Sequence, residues 1–357
     1  MKTLEQFEEG LENIPATAVW YLTDLGKSQG LQELFVKQSP QRLKVLREHA
    51  LIESAVSSNR IEGIEAGSKR IGTIIFGKNK LKDRDEEEIR GYRNALNLIH
   101  EQGKNLPVSE ETICRLHQMT RGEIWDAGKY KEKDGDIIEK YPDGRERIRF
   151  KPVSAKKTPA AMGQLISLWK DVLRETKIPP LIALSAFNLD FLCIHSFRDG
   201  NGRVSRLLLL LQLYHLGFEV GRYISIERLI EQNKDRYYET LEQSSQDWHD
   251  GKHNPWPYIH FILYIFKSAY KEFEQRAGDV KDTRGAKTDL VKSEINRTRG
   301  PFRVADLQRA CPGVSLDLIR LVLKQLRASG QIKCLGRGQQ AQWQKETDEL
   351  GNIQSNG

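Results

Sequence analysis

The sequence has no long apolar segment. Its apolar runs are short, as at Leu207 to Leu211, whereas a helix needs about 20 apolar residues to cross a bilayer. The stretch from Met1 to Gly10 is acidic and lacks the apolar region of a secretory signal. The sequence therefore predicts a cytoplasmic protein without a membrane segment.

Cysteine is scarce, with four residues in 357. Cys114, Cys193, Cys311 and Cys334 lie far apart and show none of the short spacings typical of zinc or redox sites. This pattern excludes a disulfide-stapled secreted domain and agrees with a reducing cytoplasm. Hydrophobic residues make up 38% and charged residues 29% of the chain, so it has the composition of a globular protein with room for two or three domains.

The most informative stretch runs from His195 to Arg206 and reads His-Ser-Phe-Arg-Asp-Gly-Asn-Gly-Arg-Val-Ser-Arg. Apolar residues between Leu181 and Ile194 recur at helical spacing, and the residues from Leu207 to Leu216 are almost wholly apolar. We therefore expect a loop that joins two buried helices.

Glycine and arginine make this loop suitable for an anion. Gly200 and Gly202 tolerate positive φ, so neighbouring backbone N–H groups can converge on a phosphate at the start of the second helix. Arg203 and Arg206 lie three positions apart on that helix, and both side chains can reach the same phosphate group.

Two further side chains are suited to chemistry beside such an anion. Asp199 offers the hard carboxylate oxygen that Mg²⁺ prefers. His195 can accept a proton at neutral pH. Each also has a structural interpretation, Asp199 as a helix N-cap and His195 as the partner of a helix dipole. Their combination with the glycines and arginines in one short window is what favours a nucleotide site.

Two other phosphate motifs are excluded. The third glycine of a dinucleotide-binding fingerprint is missing, and a helix precedes the loop where that fingerprint requires a strand. No Gly-Lys-Ser/Thr follows the glycines, so the stretch is not a Walker loop.

The stretch instead resembles the signature of the Fic-domain family, His-x-Phe-x-Asp/Glu-Gly-Asn-Gly-Arg-x-x-Arg, at all of its defining positions. It departs at Ser196, where many members have proline. The resemblance implies a mainly α fold, with a Fic-type helical core and a small β-hairpin flap. It also implies transfer of AMP from ATP, with Mg²⁺, to a hydroxyl group of a target protein.

The resemblance assigns a role to each residue of the loop. His195 is the base that deprotonates the target hydroxyl, and Asp199 holds the Mg²⁺ that bridges the α- and β-phosphates. Asn201 steadies the α-phosphate together with the backbone of Gly200 and Gly202.

The remaining nucleotide contacts follow from the same resemblance. Arg203 and Arg206 clamp the β- and γ-phosphates. Tyr237 and Tyr238 belong to a segment that resembles one near the nucleotide base, where either ring could stack on or hydrogen-bond adenine. A buried helix tyrosine is the alternative interpretation at both positions.

A second motif lies well before the loop. The segment Ser58-x-x-x-Glu62-Gly63 resembles the inhibitory motif that one Fic class carries N-terminal to its core. If Leu51 to Glu62 is one helix, Ser58 and Glu62 share a face and Gly63 ends the helix. A Glu62 carboxylate paired with Arg206 would occupy the guanidinium that should bind the γ-phosphate, which predicts an autoinhibited enzyme. Whether Glu62 also helps to remove AMP stays open.

Residues 134–150 predict a β-hairpin, with short strands on either side of Tyr141-Pro142-Asp143-Gly144. In the Fic family such a hairpin is a flap that holds the target segment by edge-strand pairing. The Ser, Thr or Tyr hydroxyl of the target would then face His195. A plain connecting hairpin is the alternative.

The C-terminal part predicts a winged helix-turn-helix domain. Its two helices are Val304 to Ala310 and Ser315 to Ser329, joined by the turn Cys311-Pro312-Gly313. Two strands follow within Ile332 to Trp343, on either side of Gly336-Arg337-Gly338. Between residues 283 and 345, thirteen lysines and arginines outnumber four acidic residues. This excess suits DNA, but winged helices also dock proteins or dimerise, so both kinds of partner stay open.

The predicted organisation has an N-terminal helical region at 1–110 that carries the inhibitory motif, a Fic core at 111–275, a linker at 276–289, the winged-helix domain at 290–345 and a polar tail at 346–357. We expect a protein adenylyltransferase that also modifies itself, and the family resemblance implies a homodimer. The alternatives are an ATP-sensing transcriptional or scaffold regulator with a non-catalytic core, and a Fic enzyme that uses another nucleotide donor or removes AMP.

Overall fold

The computed structural model describes residues 1–8, 13–38, 40–67, 70–77, 81–140, 143–175, 177–278, 286–298, 300–311, 314–336 and 341–346. Several parts of the predicted turns, linker and tail lie outside these ranges: Tyr141, Pro142, residues 279–285, Pro312, Gly313, Arg337, Gly338 and residues 347–357. Within the described ranges the fold is mainly α with small antiparallel sheets, as predicted. None of the helices described there is both long enough and apolar enough to cross a bilayer.

The N-terminal helices are α1 (Lys2–Glu8), α2 (Ala16–Gln38), α3 (Pro40–Ile61), α4 (Ile71–Phe76) and α5 (Arg84–Gln102). The central elements are α6 (Glu110–Arg121), β1 (Ile137–Lys140), β2 (Glu146–Phe150), α7 (Thr158–Glu175), α8 (Pro180–Ile194), α9 (Asn201–His215), α10 (Ile226–Gln232), α11 (Lys234–Ser245) and α12 (Trp256–Gly278). The C-terminal elements are α13 (Ala286–Arg297), β3 (Phe302–Arg303), α14 (Val304–Ala310), α15 (Leu316–Ala328), β4 (Ile332–Cys334) and β5 (Gln342–Lys345).

Helices α8 and α9 form the centre of the molecule. In α8 every residue from Leu181 to Ile194 is buried, and α9 is buried from Arg203 to Tyr214. A helix that is apolar on all sides requires neighbours on all sides, and α5, α6, α7 and α12 supply them. The loop between α8 and α9 is therefore fixed at both ends by the core.

Helix α3 contains most of the segment from Leu51 to Glu62 that carries the inhibitory motif, and it begins well before that segment, at Pro40. Leu43, Leu46 and Ala50 are buried in the same core as the rest of the helix, so tertiary packing extends it towards its N-terminus. It ends at Ile61, one residue before the predicted end. Gly63 follows with a φ of 82°, a left-handed conformation in which glycine carries no Cβ penalty.

The N-terminus is attached to α8 through a buried carboxylate. Asp190 is fully buried and accepts hydrogen bonds from the backbone N–H groups of Thr3 and Leu4, both at 3.0 Å. The indole N–H of Trp248 donates to the same carboxylate at 2.6 Å. Asp190 thus links three segments one helical turn before the loop.

The C-terminal elements have a hydrophobic core of their own, which includes Val291, Phe302, Leu307, Ile319 and Val322. Their three strands form an antiparallel sheet in the order β3-β5-β4. The sequence did not predict β3, because a two-residue strand carries no alternation that could be detected.

This C-terminal unit contacts the helical core through a buried ion cluster. Arg297 of α13 lies 2.9 Å from the Glu272 carboxylate of α12. The same carboxylate binds Arg228 and Arg276, each at 2.6 Å. Arg228 in turn lies 3.2 Å from Glu53 on α3, so the cluster connects the C-terminal unit to the helix that precedes Glu62.

We predict that Asp190→Ala lowers the free energy of unfolding by at least about 3 kcal/mol, because a hydrogen bond to a charged group contributes about 1.5–3 kcal/mol. Urea unfolding followed by circular dichroism measures this. The exposed Asp171, on α7, provides the control, and Asp171→Ala should change stability by less than about 0.5 kcal/mol. Equal losses in both variants would contradict the role of Asp190.

Candidate functional site

The loop begins with an unusual backbone conformation at His195. This residue caps the C-terminus of α8 with φ 51° and ψ 61°, and its N–H donates to the Phe191 carbonyl at 3.0 Å. A non-glycine residue in the left-handed region costs energy and is often found at functional sites. The turn directs the chain away from α8 and places the imidazole at the start of the loop.

The His195 imidazole is neutral at physiological pH. Its pKa is lowered from 6.5 to about 4, mainly by burial and also by the charge of Lys131, while a hydrogen bond to the Leu192 carbonyl acts in the opposite direction. Lys131 is fixed nearby, since its ammonium group donates to the Ile194 carbonyl at 3.1 Å. A neutral imidazole is the form that can accept a proton.

The N-terminus of α9 is occupied by a carboxylate of the same chain. Gly200 precedes the helix with a φ of 84°. A Cβ atom on Gly202 would lie only 2.3 Å from Glu62 Oε1, so only glycine leaves room for that carboxylate. Because the N-terminus of a helix attracts anions, Glu62 lies where the sequence predicted phosphate binding.

Glu62 and Ser58 together hold Arg206. The guanidinium donates from Nη2 to Glu62 Oε1 at 2.7 Å and to the Ser58 carbonyl at 2.9 Å, and from Nε to Ser58 Oγ at 2.8 Å. The Arg206 side chain is 1% exposed and that of Glu62 is 30% exposed. The structure thus brings the predicted inhibitory residues against Arg206.

Arg203 points away from Arg206 in this arrangement. Its Nη1 donates to the Glu88 carboxylate and, at 3.5 Å, to Asn59 Oδ1, and the residue is 1% exposed. Arg203 and Arg206 therefore bind different carboxylates and do not converge on one point.

Asp199 is paired with a residue that the sequence did not single out. Its Oδ2 lies 2.8 Å from Arg121 Nη1, and its Oδ1 lies 3.8 Å from Arg203 Nη2. Burial alone would raise the pKa of Asp199, but Arg121 and Arg203 lower it below its ordinary value. The carboxylate is therefore ionised and partly exposed at the edge of the loop.

Asn201 closes the loop on itself. Its side-chain Nδ2 donates to the Phe197 carbonyl at 2.7 Å, and its Oδ1 accepts the Phe197 N–H at 2.9 Å. The amide is 1% exposed. In this arrangement the Asn201 side chain shapes the loop rather than pointing towards an anion.

A cavity of about 240 Å³ lies beside the loop, lined by Glu62, Ile137, Arg149, Phe150, Leu192, Cys193, His195, Gly202, Tyr237, Tyr238, Leu241, Glu242 and Ser245. Both predicted tyrosines contribute to its wall. Tyr237 is buried against Tyr258 and Phe261, whereas Tyr238 is partly exposed beneath the guanidinium of Arg149. The apolar and tyrosine side chains of the wall suit a flat aromatic base, and the Glu62 carboxylate lies beside Gly202 at the start of α9.

A second cavity of about 490 Å³ shares His195 and Ile137 with the first. Its other walls come from Trp125, the segment 131–136, Phe197 and Arg198. His195 therefore lies on the boundary between two cavities, which is the position required of a base that acts between two substrates.

The predicted hairpin is present as antiparallel β1 and β2, with Ile138 paired to Ile148. It is attached to α11, because Arg149 Nη2 donates to the Tyr238 carbonyl and Arg147 Nη2 lies 2.8 Å from Glu242. The hairpin thus covers the cavity that contains the tyrosines.

Sequence reasoning missed the residues that support the loop from α5 and α6. His117 is buried, its ring stacks on Phe197 at 3.8 Å, and its Nε2 donates to the Asp199 carbonyl at 2.9 Å. The Gly128 N–H donates to the other ring nitrogen at 2.9 Å, which fixes the neutral tautomer. Arg121 and Glu88 complete this support. None of them belongs to the loop motif, and no spacing rule connects them with it.

A sequence model of the Fic/DOC family matches residues 107–213. This range begins just before α6 and includes the hairpin, α8, the entire loop and most of α9. The geometry and the match agree, and the chain contains a Fic/DOC domain.

Solved structures share the fold of the chain. A Fic family protein from Desulfovibrio desulfuricans G20 is 21% identical, with a TM-score of 0.60 and a match that covers 94% of this chain and 98% of that one. A Fic domain containing signaling protein from Bacteroides thetaiotaomicron VPI-5482 is 20% identical, with a TM-score of 0.57 and coverage of 72% and 97%. Fic-1 from C. elegans is 18% identical, with a TM-score of 0.56 and coverage of 73% of both chains. At these identities the likeness establishes the fold.

We predict that His195 remains neutral down to about pH 5 and that Lys131→Met raises its pKa, because the substitution removes a repulsive charge while the imidazole stays buried. Nuclear magnetic resonance of the imidazole nitrogens measures the titration. Lys133→Met, in the same cavity wall, is the control and should leave the His195 pKa unchanged. A wild-type pKa near 6.5 would contradict the burial argument.

Proposed function

We propose that the protein transfers AMP from ATP to a hydroxyl group of a target protein, and to itself, and that Glu62 restrains this activity. The observation that carries the proposal is the position of His195. Its neutral imidazole separates a cavity that ends at the N-terminus of α9 from a second cavity bordered by the hairpin residue Ile137.

The lining of the first cavity favours one orientation of ATP. The apolar wall and Tyr238 would take the adenine ring, and the phosphates would lie at the N-terminus of α9. The missing Cβ of Gly202 provides the space, since Glu62 Oε1 now lies 2.3 Å from where that atom would be. A phosphate oxygen could take the place of this carboxylate oxygen and bind Arg206.

Asp199 is suited to Mg²⁺, because its carboxylate is ionised and partly exposed beside the phosphate position. In the described part of the chain, no group of three or more His, Cys, Asp or Glu side chains could hold a metal by itself. The ion would therefore be held by Asp199 and phosphate oxygens. When bound, it would neutralise charge on the α- and β-phosphates.

The proposed reaction is a single displacement at the α-phosphorus. His195 accepts the proton of the target hydroxyl, and the resulting oxygen nucleophile forms a bond to the α-phosphorus. The bond from this phosphorus to the α–β bridging oxygen breaks, and pyrophosphate leaves. The target segment would lie along the outer edge of β1, with its hydroxyl towards His195.

The pairing of Glu62 with Arg206 supports restraint of this reaction. ATP must displace the carboxylate to bind Arg206, and a charge-assisted hydrogen bond of this kind is worth about 1.5–3 kcal/mol. A phosphate and the Glu62 carboxylate would also repel each other at the same helix N-terminus. A homodimer is not required by this arrangement, because one chain supplies all of the site residues described above.

DNA binding by the C-terminal unit is a second candidate function, favoured by a specific surface. Arg320, Lys324 and Arg327 are exposed on α15 at positions i, i+4 and i+7, which lie on one face of a helix. This basic face is directed to solvent, and such a face suits the phosphates and base edges of a duplex.

We predict label transfer from ATP labelled at the α-phosphate, with Mg²⁺, to the protein itself. Glu62→Gly should label at least about tenfold more than wild type, because Arg206 is released, and Glu62→Gly combined with His195→Ala should not label. The exposed Glu65 lies just after the same helix, and Glu65→Gly is the control that should match wild type. Equal labelling by wild type and Glu62→Gly would refute the restraint. If ATP binds but no variant becomes labelled, the result would favour the alternative function, an ATP-sensing transcriptional or scaffold regulator with a non-catalytic core.

For the second candidate we predict that a labelled DNA duplex binds, with affinity that falls steeply as salt rises. Replacing Arg320, Lys324 and Arg327 together with Ala should weaken binding at least about tenfold, as measured by fluorescence anisotropy. The control removes the same charge from the helical core at three exposed lysines: Lys104, Lys156 and Lys170. Similar losses in both triple variants would show non-specific attraction, and no binding by wild type would favour a protein partner.

A further inference from the structure

Glu88, on α5, is a buried carboxylate outside the loop motif. Only 2% of the residue is exposed. It accepts hydrogen bonds from Arg121 Nη1 at 2.8 Å, from Arg84 Nε at 2.9 Å and from Arg203 Nη1. A charge buried to this extent needs partners of opposite sign. Glu88 thereby joins α5, α6 and α9 behind the loop.

The contact reaches Asp199 through Arg121. The same Nη1 group that binds Glu88 lies 2.8 Å from Asp199 Oδ2. Arg203 also lies near Asp199, at 3.8 Å. The guanidiniums of Arg121 and Arg203 and the carboxylates of Glu88 and Asp199 thus form a square of alternating charge. Three of these residues are buried, with exposed fractions of 2% for Glu88, 6% for Arg121 and 1% for Arg203. Asp199 is the one member of the square that reaches solvent.

The charge balance shows what Glu88 does in this square. With Glu88 present, the carboxylates of Glu88 and Asp199 balance the buried Arg121 and Arg203, while the exposed Arg84 binds Glu88 from outside this square. Without Glu88, Arg121 and Arg203 would repel each other, and among the contacts described around them Asp199 would be the acidic partner left to both. Asp199 would then have to neutralise both guanidiniums by itself, and they would compete with a cation for its oxygens more strongly than Arg121 does now.

We propose that Glu88 is a positioning residue for the phosphate end of the site, which fixes Arg203 directly and keeps Asp199 available through Arg121. The inference rests on the proposed function, since it assigns Asp199 to a phosphate-bound Mg²⁺. Glu88 itself touches neither the first cavity nor the second. It acts through the two arginines.

The test uses Glu88→Gln, which keeps the shape of the side chain but removes its charge, in the Glu62→Gly protein so that ATP has access. Isothermal titration calorimetry measures the affinity for ATP with and without Mg²⁺. We expect the affinity with Mg²⁺ to fall about tenfold or more, the scale of one lost charge-assisted hydrogen bond. The affinity without Mg²⁺ should fall less, because Asp199 then has no ion to hold.

Glu86 provides a matched control two residues earlier on the same helix. It is 5% exposed and accepts hydrogen bonds from Arg70 at 2.7 and 2.5 Å, but none of its partners touches the loop. Glu86→Gln should lower the thermal unfolding temperature yet leave the affinity for ATP with Mg²⁺ unchanged. The inference is overturned if Glu88→Gln leaves that affinity unchanged or if Glu86→Gln lowers it equally.

Rescue distinguishes positioning from a general loss of structure. If a freed Arg121 blocks Asp199, then Arg121→Met added to Glu88→Gln should restore the affinity for ATP with Mg²⁺ by at least about threefold. A further loss in the double variant would overturn the inference. If Glu88→Gln does not fold, Glu88→Asp replaces it, which keeps the charge but shortens its reach, and the same rescue is expected.

Calorimetry also separates the two proposals. If the Glu62→Gly protein transfers no AMP but Glu88→Gln still weakens ATP binding in the presence of Mg²⁺, the proposed function fails and the positioning role stands. If transfer occurs and Glu88→Gln changes neither affinity nor the KM for ATP, the positioning role fails and the proposed function stands.

Discussion

The positive N-terminus of α9 is the constraint on which the site depends. Gly202 in its first turn lines a cavity, and a helix N-terminus in such a place needs an anion or water. In this structure Glu62, which directly follows α3, supplies the negative charge and lies where a Cβ atom on residue 202 would collide with it. The Glu62 carboxylate and a phosphate group of ATP would therefore compete for the same position at the start of α9.

The position of Glu62 depends in turn on how α3 is held. Ser54 donates to the buried Glu227 carboxylate at 2.6 Å, and Glu53 lies 3.2 Å from Arg228. Both contacts attach α3 to α10, whereas Ser58 and Glu62 attach its end to α9. These contacts fix α3 on either side of Ser58, and so they hold the Glu62 carboxylate against Arg206.

The sequence allowed the mainly α fold and the buried helices around the loop to be predicted from local periodicity. The approach of Glu62 to Arg206, 144 positions apart, followed from the resemblance to a Fic inhibitory motif. The sequence did not allow the left-handed conformation of His195 to be predicted, since that is imposed by packing at both ends of the loop. Arg121 and Glu88 were missed for a related reason. Their contacts to Asp199 and Arg203 join residues 78 and 115 positions apart in the chain, and no spacing rule connects such positions.

The two arginines of the motif have different partners, and the exposure of those partners decides which can change. Arg206 binds a carboxylate that is 30% exposed just beyond a helix end, so water can solvate Glu62 when it leaves and the energetic penalty is small. Arg203 binds a carboxylate that is 2% exposed, and separating that pair would leave an uncompensated buried charge. Glu62 is therefore suited to be displaced by a phosphate, whereas Glu88 is suited to stay in place during every step.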